Sequence, residues 1–108
     1  MELAEIGDAL GLEKRTLRYI LEQGIVPGLE DVNQGRGYRR KLKVREAQLV
    51  AVAGVLHEQG FRGPVVQTML KQAKTQLRQQ PPLLQFVIKH GCGTTEMFMP
   101  TEKILEAI

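Results

Sequence analysis

Apolar positions fall at helical spacing from the first residues onward. Leu3, Ile6 and Leu10 form the single stripe of a short amphipathic helix, and Gly11 supplies its stop. Leu12 then turns inward. A second helix opens near Glu13, with Leu17, Ile20 and Leu21 on its inner face and Lys14, Arg15 and Arg18 outside. It closes at Gly24. Helix, tight glycine turn and helix make a helix-turn-helix pattern.

Ile25-Val26-Pro27 and Gly37-Tyr38-Arg39 bracket a stretch rich in turn residues, among them Gly28, Asn33, Gln34 and Gly35. Two short extended arms around such residues predict a hairpin, or wing. From Val44 to Gln59 apolar residues cover nearly every side of the pattern, which predicts a buried central helix ended by Gly60. Phe61, Gly63 and Pro64 turn the chain. Val65 to about Gln80 then repeats at helical spacing, with Val66, Met69, Leu70 and Ala73 facing in.

Pro81-Pro82 stops any helix. Beyond it, Leu83 to Ile88 predicts a strand, Gly91-Cys92-Gly93 a turn with a partly buried thiol, and Glu96 to Met99 a partner strand. Thr101 is placed to cap a last helical segment running to Ile108. The pattern as a whole predicts a mainly α fold: a winged helix-turn-helix with a small hairpin wing over residues 1–80, plus a short α/β C-terminal tail over 81–108.

Charge changes the picture more than size does. The chain has 108 residues and a formal net charge of +3, which fit one compact domain with a small appendage and by themselves point to no partner. The distribution is uneven. Arg36, Arg39, Arg40, Lys41, Lys43 and Arg45 lie together with no acid among them, whereas the tail sets Lys89 and Lys103 against Glu96, Glu102 and Glu106. The front half is suited to a polyanion and the tail is not. No apolar run approaches the roughly 20 residues of a membrane helix, and the acidic start is unlike a signal peptide, so the expectation is a cytoplasmic protein with no membrane partner.

Cys92 is the single cysteine, which excludes an internal disulfide and disfavours a cysteine-based metal site. His90 and Cys92 flank Gly91, but no acid or oxyanion loop accompanies them, so neither an enzyme nor a cofactor or metal is expected. His57 reads as a surface or capping residue. The apolar segment Leu83 to Ile88, with Met97, Phe98 and Met99, is the candidate pairing surface for a homodimer.

Several pieces fall in the order and spacing of a known family. Ile6-Gly7-Asp8-Ala9-Leu10-Gly11-Leu12, Arg15-Thr16-Leu17-Arg18-Tyr19, Gly24-Ile25-Val26-Pro27, Gly37-Tyr38-Arg39 and His57-Glu58-Gln59-Gly60-Phe61 together resemble the winged helix-turn-helix DNA-binding domain of the MerR family of transcriptional regulators. The resemblance spans residues 3 to about 74. It implies that the second helix enters the major groove and that the wing meets the flanking backbone. On that basis Lys14, Arg15, Thr16, Arg18 and Tyr19 are candidate contacts from the helix, and Arg36, Tyr38, Arg39, Arg40, Lys41 and Lys43 from the wing and the basic segment after it.

Guanidinium groups suit phosphate and the guanine edge, and lysines add salt-sensitive attraction, to which Arg45 is expected to contribute. Plainer roles exist for the same residues: Arg15 and Arg18 as a solvated face paired with Glu13 or Glu22, and Tyr19 and Tyr38 as packing residues of the wing. The chain also departs from the family. Pro81-Pro82 rules out the long dimerising helix that comes after the DNA-binding domain in typical members. One cysteine cannot make the three-cysteine site of the metal sensors. The expected function is a DNA-binding transcriptional regulator acting on double-stranded DNA as a homodimer. The alternatives are an excisionase-like architectural factor and a protein-interaction adaptor that reuses the fold.

Overall fold

A computed structural model describes residues 1–29 and 41–108. Over these the fold is mostly helical with one two-stranded antiparallel hairpin. Helices α1 (Leu3–Leu10), α2 (Lys14–Glu22), α3 (Val44–Glu58) and α4 (Gly63–Gln76) are followed by a 3₁₀ turn over Leu77–Gln79. Strands β1 (Leu83–His90) and β2 (Gly93–Pro100) and a short helix α5 (Glu102–Ala107) complete the chain. The helices and the C-terminal hairpin come in the expected order, with boundaries within a few residues.

Helix ends explain how the bundle turns its corners. After α2, Gly24 takes a left-handed φ of +63°, its N–H donates to the Leu21 carbonyl, and the Ile25 N–H reaches back to Ile20. The same pair of bonds closes α3, with Gly60 at φ +96° donating to His57 and Phe61 donating to Leu56. Only glycine adopts this conformation without strain, and the next, apolar residue is thrown back against the helix it ends. Ile25 is buried and Phe61 half-buried.

The core is centred on α3. Leu49, Val50, Ala51, Val52, Ala53 and Leu56 are all buried, so its middle touches protein on every side. Leu17, Ile20 and Leu21 of α2 pack on one flank and Val66, Met69, Leu70 and Ala73 of α4 belong to the same core. These are the inward positions that the helical spacing predicts. At Gly54 a methyl group would lie 2.9 Å from Leu17 Cδ2 and 3.0 Å from Leu12 Cδ1, so the missing side chain is what lets α2 and the α1–α2 turn approach α3.

The tail belongs to this core as well. Leu84 and Phe86 of β1, Met99 of β2 and Ile104 of α5 are buried with the helical residues. Register pairs Leu84 with Met99 and Phe86 with Met97, which puts one face of the hairpin inward. Along α4, two glutamines one turn apart hold the outer edge of β1. Gln76 receives the Gln85 N–H at 2.8 Å and donates to the Gln85 carbonyl at 2.6 Å. Gln72 does the same for Val87, at 2.8 and 3.0 Å. The side-chain amides replace a third strand.

Four expectations are corrected. Ile25-Val26-Pro27 is not a strand: Leu29 N–H bonds the Val26 carbonyl at 3.0 Å across Pro27 and Gly28 (φ +90°), the pattern of a type II turn. The other arm of the expected wing, Gly37-Tyr38-Arg39, lies outside the described residues. Thr101 precedes α5 but does not cap it through its hydroxyl, which donates to the Pro81 carbonyl, while its N–H bonds Pro82. Cys92 is exposed rather than partly buried, because it sits at the tip of the hairpin. Within the expected pairing surface, Leu84, Phe86 and Met99 are core residues, leaving Leu83, Val87 and Phe98 exposed on the outer face.

Candidate nucleic-acid interface

The α2 helix is short, and its sequence divides cleanly. At 100° per residue, Lys14, Arg18, Glu22, Arg15 and Tyr19 share an arc of about 140°, opposite Leu17 and Ile20. The apolar side is sealed, with Leu17 and Ile20 fully buried and Leu21 nearly so. Lys14, Arg15, Arg18 and Tyr19 are exposed, and Thr16 is half-buried on the flank.

Two anchors fix this helix on α3. Leu17 enters the space above Gly54. At the start of α2, the Glu13 N–H donates to Glu58 Oε1 at 3.4 Å. The cationic row is thus carried on a support that is packed from below and tethered at its N-terminal end.

Two of its charges, Lys14 and Arg15, are held lightly. Lys14 Nζ lies 3.7 Å from Asp8 Oδ1, and both side chains are more than half exposed (54% and 74%), so water screens the pair. Arg15 forms no ion pair with any described residue. Tyr19 is 42% exposed. It does not stand alone: its ring lies 5.2 Å from that of His57 on α3, tilted by 42°.

His57 is therefore half-buried beneath Tyr19, and its Nδ1 is buried without a hydrogen-bond partner among the described residues. Nothing in the spacing of the sequence marks this contact, since Tyr19 and His57 are brought together only by the packing of α2 on α3.

Of the remaining sequence-predicted contacts, Arg36, Tyr38, Arg39 and Arg40 lie outside the described residues. Lys41 and Lys43 are exposed on the segment that leads into α3. Lys43 occupies the N-cap position, where its N–H donates to Glu46 Oε1 at 2.9 Å. Cations at a helix N-terminus oppose the helix dipole, so local stability does not account for them there.

Arg45 departs from expectation. Its guanidinium turns away from that basic segment and donates to the Leu77 carbonyl and, at 3.2 Å, to the Arg78 carbonyl. It also reaches Gln48 Oε1 at 3.4 Å. Arg45 thus ties α3 to the carbonyls of the 3₁₀ turn that follows α4, a structural task that takes its donors out of the cationic surface.

The tail offers a different chemistry. His90 Nδ1 accepts the Cys92 N–H at 3.2 Å and Nε2 meets Thr95 Oγ1 at 2.7 Å, so the ring pins the hairpin turn. That bond runs to the Cys92 backbone. Among the described residues no group of His, Cys, Asp and Glu side chains is arranged to hold a metal, and no helix is long and apolar enough to cross a membrane. No protein-family model, curated protein or solved structure matches the chain.

Proposed function

We propose that this protein is a DNA-binding regulator that lays α2 in the major groove of double-stranded DNA. The observation that carries the reading is the construction of α2: one face wholly buried, the other presenting Lys14, Arg15, Arg18 and Tyr19 to solvent. A helix of this kind, second in a helix–turn–helix, has the width and charge to enter a major groove. Arg15 and Arg18 supply planar donors for phosphate or guanine, and Tyr19 supplies a hydroxyl on a ring steadied by His57.

Lys41 and Lys43 add backbone attraction from a position that costs α3 rather than stabilising it. Specific recognition by a domain this small normally takes two copies at neighbouring half-sites. In the proposed homodimer, Leu83, Val87 and Phe98 on the outer face of the hairpin form the pairing surface.

The test is fluorescence anisotropy of a labelled random duplex across a salt series. Binding that weakens steeply with salt supports the reading and justifies selecting a preferred site. A second reading, a protein-interaction adaptor, is favoured by the exposed Leu83, Val87 and Phe98. It predicts no salt-dependent DNA binding at all, so the same titration separates the two.

A further inference from the structure

The clamp of α4 on β1 stops short, and an open groove lies beyond it. Gln76 holds Gln85 and Gln72 holds Val87, so each step of two along β1 is matched by one turn backward along α4. The next step joins Lys89 to position 68. There the helix carries Thr68, which is too short to reach the strand and whose hydroxyl donates to the Pro64 carbonyl at 3.2 Å.

A space of about 550 Å³ opens at this point, within the range of small-molecule sites. Its walls are apolar, made by Val65 and Met69 of α4 and by Val87 and Ile88 of β1, with Pro64 at one end. The polar groups around it are mostly engaged: Gln72 is spent on Val87, and Thr68 donates within its own helix.

Lys89 is the exception. It is the one charged residue lining the groove, and its ammonium forms no ion pair among the described residues. By strand alternation its backbone N–H points to the same side as those of Gln85 and Val87, where no glutamine meets it. The Lys89 side chain and its outward N–H thus both lie at one end of an apolar trough whose lining includes no acid.

We propose that this groove binds a small apolar carboxylate, with the acyl chain along α4 and the carboxylate on the Lys89 ammonium and N–H. Charge complementarity selects an anion over a cation or a neutral molecule. The helical side of the groove runs from Pro64 to Gln72, about 12 Å at 1.5 Å per residue, which suits a medium-length chain. The site joins α4 to the hairpin, and binding there is independent of whether α2 meets DNA.

The test uses decanoate, decanol and decyltrimethylammonium in calorimetric and backbone-NMR titrations of the full chain. Decanoate is expected to bind saturably and to shift the amides of Val65, Met69, Ile88 and Lys89, with decanol and the cation at least tenfold weaker. Lys89→Gln should weaken decanoate about tenfold. Thr68→Gln is the decisive variant: a glutamine there extends the clamp to Lys89, so decanoate binding should be lost while the melting temperature holds or rises. Equal binding of the three probes, undiminished binding to Thr68→Gln, or no binding to the unaltered chain would overturn the proposal.

Discussion

Gln72 and Val87 are joined by a two-point amide contact, Nε2 donating to the Val87 carbonyl at 3.0 Å and Oε1 accepting its N–H at 2.8 Å. The contact closes a strand edge that would otherwise be open to solvent or to another chain. It also fixes the distance between α4 and the hairpin. Gln72→Ala should cost about 1 kcal/mol, the net worth of ordinary hydrogen bonds at a partly wet site. Hydrogen exchange is the sensitive readout. The Val87 amide should exchange faster while the amides of α3 keep their protection. Gln72→Glu, which sets a carboxylate oxygen against the Val87 carbonyl, should loosen the hairpin further.

The support beneath α2 can be tested by truncation. Leu17 is fully buried over Gly54. Leu17→Ala is expected to lower stability by roughly 2–5 kcal/mol, through lost transfer energy and a residual cavity. Denaturant titration measures this directly, and an unchanged midpoint would contradict the placement of α2 on α3.

Gly7 sits inside α1, where alanine would ordinarily favour the helix by about 1 kcal/mol. Here a methyl group would stand 2.9 Å from the backbone oxygen of Leu12. Backbone cannot swing aside as a side-chain tip can, so Gly7→Ala should be net destabilising, by about 1–3 kcal/mol. A stabilised variant would show that the α1–α2 turn has room to spare.

Charge removal separates binding residues from structural ones. Under the proposed function, Arg15→Ala and Arg18→Ala should each weaken duplex binding and flatten its salt dependence by about one unit, with melting little changed in Arg15→Ala. Arg45→Ala should behave in the opposite way. Its guanidinium is committed to the carbonyls of Leu77 and Arg78, so stability should fall by about 1 kcal/mol with the salt slope intact. A flattened slope in Arg45→Ala would return that residue to the cationic surface.

The helical part of the fold was legible because burial follows period there. Leu17, Ile20 and Leu21, or Val66, Met69, Leu70 and Ala73, announce their inner face by spacing alone, and the structure buries every one of them. The misread segment had its signal in plain view: Pro27-Gly28 is a turn pair, yet the apolar Ile25-Val26 before it suggested a strand. In β1 the run from Leu83 to Ile88 contains one polar residue, so composition could not tell the buried face of Leu84 and Phe86 from the open face of Leu83 and Val87.

Other features belong to no local pattern. Gln72 and Gln76 look like any solvated pair one turn apart, and only the docking of β1 gives them Val87 and Gln85 as partners. Arg45 read as one more member of a basic run, because its acceptors lie more than thirty residues away in the chain. The cationic row of α2 was legible as residues; its foundation on His57 and Gly54 was not.

Contact between α1 and α5 has a kinetic consequence. These helices are separated by most of the described chain, and α5 also touches α3, so a segment made much later completes the surroundings of α1. Contacts of such wide sequence separation slow the final approach to the native state, because a long loop must close before they form. While the chain is being made, α1 can form early but remains uncovered on the side that α5 will occupy. Final ordering of α1, against which α2 packs, therefore waits until α5 has emerged.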